Sequence, residues 1–558
     1  MNGNALLRLG VIILGLFLAM VMVFNVLTDY RNNLTMLFKM LAGAGFCLGF
    51  IQPKAAVYIL VIVCGYLDLL KRCLLLFGQV NMTDVVTVLS VAPLTFAGIC
   101  CGLLVGRVQQ RTLFNPAEFK IFWMTVAIGI VVIAANVRAY GSLGQGLING
   151  ANGGAYIPFL LFVGFLFPTL REQRQFLKFI LIAFIPVALY ALKQAATGFS
   201  TFEHMYLISG LTKMIGAADE ALIRPFSTLN SAHAFGIVTA TLVALSIYKV
   251  ATTKNGRIFY ILLTLLYMGA LIPGYQRTAW AMALGLPVCF VVFRRGSTTA
   301  ALYGLTFAGL AMVVAISPWL ARNVHLLGFG KQSSSNWISR AGTFDTMFER
   351  VKGFENWSRN PEMWSWFGLD QEKIFGDDQF MTHDMIGGLL INYGVVGLVC
   401  AGILGFSGLY FAHTRVLQIR NSNDRFLGIC YLSILFAILF TGAASGSHLS
   451  IFPINFFFWF IAGGLVALVQ RSLAQQAMVD SKAAKDRAAF RAAENSEKRS
   501  LAAQGLPRKA GFNRSTGLGA AARPEPPVPN HPFSRGGVDT TVETTQPAPT
   551  VAKTGVQQ

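Results

Sequence analysis

Ile316-Ser317-Pro318-Trp319-Leu320-Ala321-Arg322 closes one apolar run, and Thr382-His383-Asp384-Met385-Ile386-Gly387-Gly388-Leu389-Leu390 opens the next. Between them the chain stays polar for more than sixty residues, with Arg322, His325, Arg340, Asp345, the tryptophans Trp337, Trp357, Trp364 and Trp366, and the pair Asp377-Asp378. No other segment ahead of the C-terminal tail is so long and so polar. The flanking runs have the length of membrane spans, since roughly 20 apolar residues cover about 30 Å of hydrocarbon. The stretch therefore reads as a soluble cap held at both ends by a membrane body.

Working outward, composition agrees. Of 558 residues, 54% are hydrophobic and only 13% charged, and mean hydropathy is +0.57. Candidate spans fall at 5–27, 35–52, 55–76, 85–106, 119–137, 154–170, 175–194, 232–250, 257–274, 278–294, 299–320, 385–411, 426–444 and 450–470. The run at 55–76 is the weakest, because Asp68, Lys71 and Arg72 interrupt its end. The expected fold is all-α, a polytopic transmembrane helical bundle of about 12–14 spans. Four regions follow: a body of eleven spans over 1–320, the cap over 321–384, three further spans over 385–470, and a tail over 471–558. The N-terminal run behind Arg8 is too long for a signal peptide and reads as a retained span.

The formal net charge is +20, and beyond Gln470 thirteen Lys and Arg face seven Asp and Glu, which leaves +14 for residues 1–470. That charge sits in short loops, at Arg107/Arg111, Arg171/Arg174, Lys254/Arg257, Arg294/Arg295 and Arg415/Arg420/Arg425, all on one side if the spans alternate. Such a bias marks the cytoplasmic side of a membrane protein rather than a nucleic-acid surface. Loops 138–153, 195–231, 275–277 and 321–384 then face outward, which a long segment does regardless of its charge. The Ala-, Lys-, Arg- and Glu-rich stretch from Arg471 to about Gln504 reads as a cytoplasmic helix, and the Pro-, Gly- and Thr-rich remainder as disordered. Within it, Arg523-Pro-Glu-Pro-Pro-Val-Pro suits an extended polyproline segment.

The eight cysteines lie in or beside apolar runs without C-x-x-C spacing. They read as core hydrophobes, not as zinc ligands or a disulfide framework. Phosphate-loop, zinc-protease and nucleophile-elbow motifs are missing. Gly141-Ser-Leu-Gly-Gln-Gly146 reads as a flexible turn. Three positions on the outward side stand out: Arg224 before the span at 232–250, Arg277 in the short hinge Tyr275-Gln276-Arg277-Thr278, and His383 at the entry of the span at 385–411. Ionisable groups at the apolar boundary are costly and face a wet cavity or the bundle interior. An arginine snorkelling to lipid headgroups, or a histidine capping a helix, is the plainer alternative for each.

Together these pieces resemble the O-antigen ligase and Wzy-type polysaccharide polymerase family, bacterial envelope glycosyltransferases of GT-C-like fold. The resemblance rests on Arg224-Pro-Phe-Ser-Thr-Leu-Asn-Ser-Ala-His-Ala-Phe-Gly236, on Gln276-Arg277-Thr278-Ala279-Trp280, and on Asn336-Trp-Ile-Ser-Arg340 with Trp366-Phe-Gly-Leu-Asp370. It also rests on Thr382-His383-Asp384 followed by Leu390-Ile-Asn-Tyr-Gly394-Val-Val-Gly397, and it runs from about Phe176 to Phe411. Gln276 stands where that family more often has Ser, and Asp384 where it has Asn. The tail past Arg471 has no counterpart there.

The resemblance implies a multi-pass enzyme of the bacterial inner membrane with a periplasmic cap and a cytoplasmic tail. Its donor would be a glycan on undecaprenyl pyrophosphate, and its acceptor either a lipid-linked glycan (polymerase) or lipid A core (ligase). It implies no cofactor and no metal. Arg224 and Arg277 would hold the pyrophosphate, since a guanidinium offers a planar fork of donors to phosphate. His383 would accept the acceptor's proton, its ordinary pKa of about 6.5 suiting that role. Arg340, Asp384, Gln276, Trp337 and Trp366 would line the substrate site, the indoles stacking on sugar faces or anchoring at the interface. Membrane lipids and a chain-length regulator or other polysaccharide-assembly protein are the implied partners, and nucleic acid is not one. A lipid-linked oligosaccharide flippase or transporter is the alternative of another class, but it calls for charges near mid-span. A metal-dependent oligosaccharyltransferase is a further one, but it calls for paired acids on an early outer loop, where only Asp29 stands; Asp377-Asp378 with His383-Asp384 reads as a metal cluster or, more plainly, as a solvated acidic turn.

The loop charges predict which face each end occupies. In a background lacking the eight native cysteines, an impermeant maleimide on intact spheroplasts should label Ser334→Cys, and should reach Ser515→Cys only after lysis. The reverse pattern would invert the topology.

Overall fold

The computed structural model describes residues 34–73, 82–110, 114–140, 143–209, 225–274, 276–294, 364–369, 385–444, 449 and 451–503. Among them all regular structure is helical: α1 Leu34–Ile51, α2 Pro53–Cys73, α3 Met82–Leu89, α4 Val91–Gln109, α5 Pro116–Tyr140, α6 Leu143–Gly154, α7 Phe159–Leu166, α8 Leu170–Ala183, α9 Ile185–Thr197, α10 Thr201–Ile208, α11 Ala232–Thr252, α12 Arg257–Leu271, α13 Arg277–Arg294, α14 Met385–Leu417, α15 Ser422–Ala444 and α16 Ile454–Ala503. Eight helical stretches among the described residues are long and apolar enough to cross a membrane: 53–73, 84–109, 116–138, 170–197, 232–252, 385–417, 422–443 and 454–496. Shorter apolar helices stand at 36–51, 257–271 and 278–294. The described residues are thus all-helical and form the body of a multi-pass membrane protein. The expected spans at 5–27 and 299–320, nearly all of the cap and the tail beyond Ala503 lie outside the described residues.

Helix starts follow local chemistry. Ahead of α5, Asn115 Oδ1 accepts from the Glu118 amide at 2.8 Å, and Glu118 Oε2 accepts from the Asn115 amide at 2.9 Å. Each thereby satisfies a backbone donor that the first turn leaves free. Thr169 Oγ1 caps α8 through the Glu172 amide, and Ser231 Oγ caps α11 through the Ala234 amide.

Two expectations are corrected. The region 154–170 is not one span but the eight-residue α7 preceded by a turn at 155–158, where Pro158 stands next to the helix start. Of the region 138–153, expected as an outward loop, residues 138–140 close α5 and 143–153 belong to α6, which holds Gly144 and Gly146 of the presumed turn. Glycine lowers helix propensity in water, but here α6 lies against α5: a side chain at Gly146 would strike the Val137 backbone.

The interior is set by α15 and α11, with 83% and 72% of their apolar windows buried, against 11% for α5 and 17% for α14. Between α7 and α16 runs an aromatic seam in which Phe159 meets Phe456 and Phe460 edge to face, with centroids 5.3 and 5.7 Å apart. Lipid tails are as apolar as leucine, so helices in a bilayer associate by close packing rather than by hydrophobic burial. The pair α1–α4 shows this directly. Gly45-x-x-x-Gly49 faces Gly98-x-x-x-Gly102, and a Cβ on Gly49, Gly98 or Gly102 would overlap backbone atoms of the opposite helix.

Polar ties mark the two ends of α2. At its start Lys54 Nζ meets Glu172 Oε1 of α8 at 2.7 Å; at its other end Arg72 is 1% exposed. Near the Lys54 end, Arg174 of α8 is ion-paired to Asp424 of α15, and Gln173 Nε2 donates to the Tyr431 hydroxyl and the Gly464 carbonyl. One compact unit comprises residues up to Met478, and a second begins at Val479. In the second, residues 479–503 are helical, as expected of the basic stretch, and residues 479–496 are exposed.

The α1–α4 contact predicts a contrast between identical substitutions. Gly98→Ala drives a methyl into the Phe46 carbonyl and should destabilise by about 1–3 kcal/mol, the range for overpacking. Gly43→Ala meets nothing within 4 Å, and in mid-helix it should be neutral or stabilising by up to about 1 kcal/mol. Unfolding by SDS titration in micelles checks both.

Candidate functional site

The segment Pro225-Phe226-Ser227-Thr228-Leu229-Asn230-Ser231 carries no helix, and its first five residues are buried. Buried backbone outside a helix has to find partners elsewhere, and here side chains from α2 and α9 supply them. The Ser227 amide donates to Gln194 Oε1 at 2.7 Å. The Ser227 hydroxyl donates to the Val187 carbonyl, and the Thr228 hydroxyl to the Gly65 carbonyl. Arg72 Nη2 donates to the Leu229 carbonyl at 3.0 Å. Ser227 has φ +56°, alone among the described non-glycine residues in being left-handed.

Arg72 organises this cluster. Its Nε donates to the Asp68 carbonyl one turn back at 3.0 Å, and its Nη1 to Glu203 Oε1 of α10 at 3.1 Å. The face of its guanidinium lies 4.6 Å from the Phe226 ring centre. Glu203 is 0% exposed. It also accepts from Gln194 Nε2 at 2.5 Å, and from the Ser200 amide and hydroxyl at 2.8 and 2.7 Å. The carboxylate that caps α10 is therefore the same one that neutralises Arg72. Beside it Lys71 pairs with Asp68 at 2.9 Å and lies over the Tyr206 ring. Two cations and two anions share the site, so its formal charge is zero. An apolar groove of about 320 Å³ lies alongside, lined by Leu41, Ile62, Tyr66, Leu70 and Thr95.

Two of the quoted motifs meet here. The segment 225–231 leads into α11, while Gln276 leads into α13, which begins at Arg277. At Gly236 in the first turns of α11, an added Cβ would stand 2.7 Å from Ala279 Cβ and 3.3 Å from Gln276 Cβ. Only glycine lets the start of α13 lie this close to the start of α11.

A second pair of motifs is joined by backbone alone. Helix α14 is interrupted at Gly394, where φ is +69° and ψ −171°. Such a break frees amides and carbonyls, which are costly in an apolar setting. Residues 364–369 take them up: the Leu369 amide donates to the Ile391 carbonyl at 2.8 Å, the Val395 amide to Ser365 at 3.0 Å, and the Val396 amide to Trp366 at 3.2 Å. Gly368, also left-handed at φ +88°, and Gly394 touch across this join, where a Cβ on either would overlap the partner's backbone. Arg138 at the end of α5 donates to the Phe367 carbonyl at 3.0 Å, and Tyr393 meets the Asn136 side chain. Trp366 and Phe367 are left 69% and 63% exposed.

Of the residues singled out from the sequence, Arg224, Trp337, Arg340, His383 and Asp384 lie outside the described residues, as do Asp377 and Asp378. Arg277 is described as the first residue of α13, Gln276 is half-buried beside Gly236, and Trp366 is exposed on the join to α14. Asp68, Lys71, Arg72, Gln194 and Glu203 were not singled out. Their signal was the charge triplet that interrupts an apolar run, together with Ser200-Thr-Phe-Glu203, a serine three residues ahead of a glutamate at a helix start.

The join at α14 predicts its own sensitivity. Gly394→Ala, placed at positive φ against backbone, should detach residues 364–369. Hydrogen exchange at the Leu369 and Val395 amides should then quicken about tenfold or more, the equivalent of 1.4 kcal/mol. Protection equal to wild type would show that the join is not held by these bonds.

Comparison with known protein families, with characterised proteins and with solved structures gives no match to this chain.

Proposed function

We propose that this protein is an inner-membrane glycosyltransferase that takes a glycan from undecaprenyl pyrophosphate at the periplasmic face. In this reading it polymerises polysaccharide repeat units. The observation that supports the reading is the contact of Gly236 with Gln276 and Ala279, between the start of α11, which Arg224 precedes by eight positions in the sequence, and the start of α13, whose first residue is Arg277. Two guanidinium groups contributed from separate loops suit a pyrophosphate leaving group, whose negative charge grows as the glycosyl bond breaks. The joined pair Trp366–Leu369 and Ile391–Val396 lends further support, since it ties the end of the cap to the helix that His383 precedes. The apolar groove beside α2 offers room for part of an isoprenoid chain.

The chemistry divides by residue type. Arg224 and Arg277 hold the pyrophosphate and never act as base, because arginine does not deprotonate in proteins. His383 removes the proton of the acceptor hydroxyl as it attacks the anomeric carbon, and undecaprenyl pyrophosphate departs. Trp366 and Trp337 present ring faces to sugars, and Arg340, Gln276 and Asp384 line the same mouth.

Deleting the gene and displaying envelope glycans on a gel tests the reading. Loss of long polymer with single repeat units retained on lipid A supports a polymerase. Build-up of full-length lipid-linked polymer shows a ligase, and an unchanged profile removes the enzyme. In complementation, His383→Ala should lower the rate by about 10²–10⁴, the usual scale of general-base catalysis, while binding of undecaprenyl pyrophosphate persists. Arg277→Lys keeps the charge but loses the fork and should impair both. Asp384→Asn should be tolerated.

A further inference from the structure

We infer that the buried pair Arg72–Glu203, with Gln194, is a positioning device that acts on substrate through Arg224; this rests on the function proposed above. Three observations lead to it. First, the network bonds to the 225–231 turn as well as joining helices. Arg72 holds the Leu229 carbonyl, and Gln194 holds the Ser227 amide while donating to Glu203. Second, Ser227 keeps a left-handed backbone at φ +56°, a conformation that a serine holds only where its surroundings over-determine it. The surroundings here are the Gln194 amide group and the Val187 carbonyl. Third, stability alone does not call for this chemistry, since a buried ion pair is commonly matched or bettered by apolar residues of similar volume. What an apolar cluster lacks is direction. A guanidinium with three committed donors and a carboxylate with four committed contacts fix one register of the turn.

Arg224 is bonded directly to the first residue of that turn. None of Arg72, Glu203 and Gln194 is assigned contact with substrate: each is buried and fully engaged within the protein. Their effect on pyrophosphate runs through the position of the turn, where a misplacement of about 1 Å costs of the order of a hundredfold in rate.

The test uses full-length protein in nanodiscs and undecaprenyl pyrophosphate as the probe. Arg72→Met alone strands the Glu203 carboxylate and is expected to fold poorly. Arg72→Met combined with Glu203→Leu removes both charges, and Gln194→Leu is a milder variant that leaves the ion pair in place. Wild type should bind the probe. The double variant and Gln194→Leu should stay folded, Gln194→Leu at a lowered unfolding temperature because the Ser227 amide loses its acceptor, yet bind it about tenfold to a hundredfold more weakly. In both, hydrogen exchange at the Ser227 amide should quicken. In an Arg224→Ala background the same changes should cost no further affinity, because the arginine they position is gone; a purely structural role would give losses that add. Wild-type affinity in folded variants whose Ser227 amide exchanges faster overturns the inference and leaves the glycosyltransferase reading standing. Unchanged exchange at Ser227, or losses that add to Arg224→Ala, overturns it as well. Failure of wild type to bind the probe removes the reading and the inference together.

Discussion

A guanidinium does not give up its charge, and Arg72 is 1% exposed at the end of an apolar helix. Much of the surrounding structure follows from satisfying it. The Asp68 carbonyl is available one turn back, but the neutralising carboxylate has to come from elsewhere in the chain, and it comes from Glu203. Glu203 reaches the site because Ser200 starts α10 there, and Ser200 follows directly on the end of α9 that presents Gln194. The remaining donor of Arg72 draws in the Leu229 carbonyl, and with it the turn that starts α11. Removing either member of a buried pair typically costs about 3–5 kcal/mol because the other charge is left uncompensated. The ends of α2, α9, α10 and α11 are therefore tied at one point.

Elsewhere the apolar setting imposes the complementary rule that polar groups close on themselves. Thr95, Thr241, Ser433 and Thr441 return their hydroxyls to carbonyls one turn earlier in their own helices. The break at Gly394 is the exception that shows the rule, because residues 364–369 are spent on satisfying it. Non-helical backbone at such a place is tolerated only where other protein covers it. Residues 364–369 are in this sense part of the helix they adjoin.

These two rules explain what could be read ahead of the structure. Run length and hydropathy report the transfer of side chains into hydrocarbon, a property of each residue by itself, so the helices from 53 to 138 and from 385 to 470 fell close to their expected bounds. The helix over Gly144 and Gly146 depends on a neighbour, α5, and no local pattern encodes it, whereas the interruption at 155–158 has a local sign in Pro158 that hydropathy passes over. The triplet Asp68, Lys71 and Arg72 looked like a flaw in a span. Its meaning resides in Glu203, 131 positions beyond Arg72. Gly236 and Gly394 were visible as motif positions, but the reason for each, an approach of backbone or Cβ from another segment, is not written near them.

The candidate site combines these two ways of holding a segment, and they differ in stiffness. Residues 364–369 are held by backbone bonds to a helix break and leave Trp366 and Phe367 exposed, an arrangement that, under the proposed function, suits a large, varied ligand such as a glycan. The 225–231 turn is held by charged and amide side chains inside a buried cluster, where each hydrogen bond is stronger and each lost partner costlier. That is the stiffer mount. A phosphate group, small and constant from one glycan to the next, is the part of a lipid-linked donor that benefits from a fixed cradle, whereas the sugar chain does not. The division of the site into one rigid and one accommodating segment follows the division in the proposed substrate.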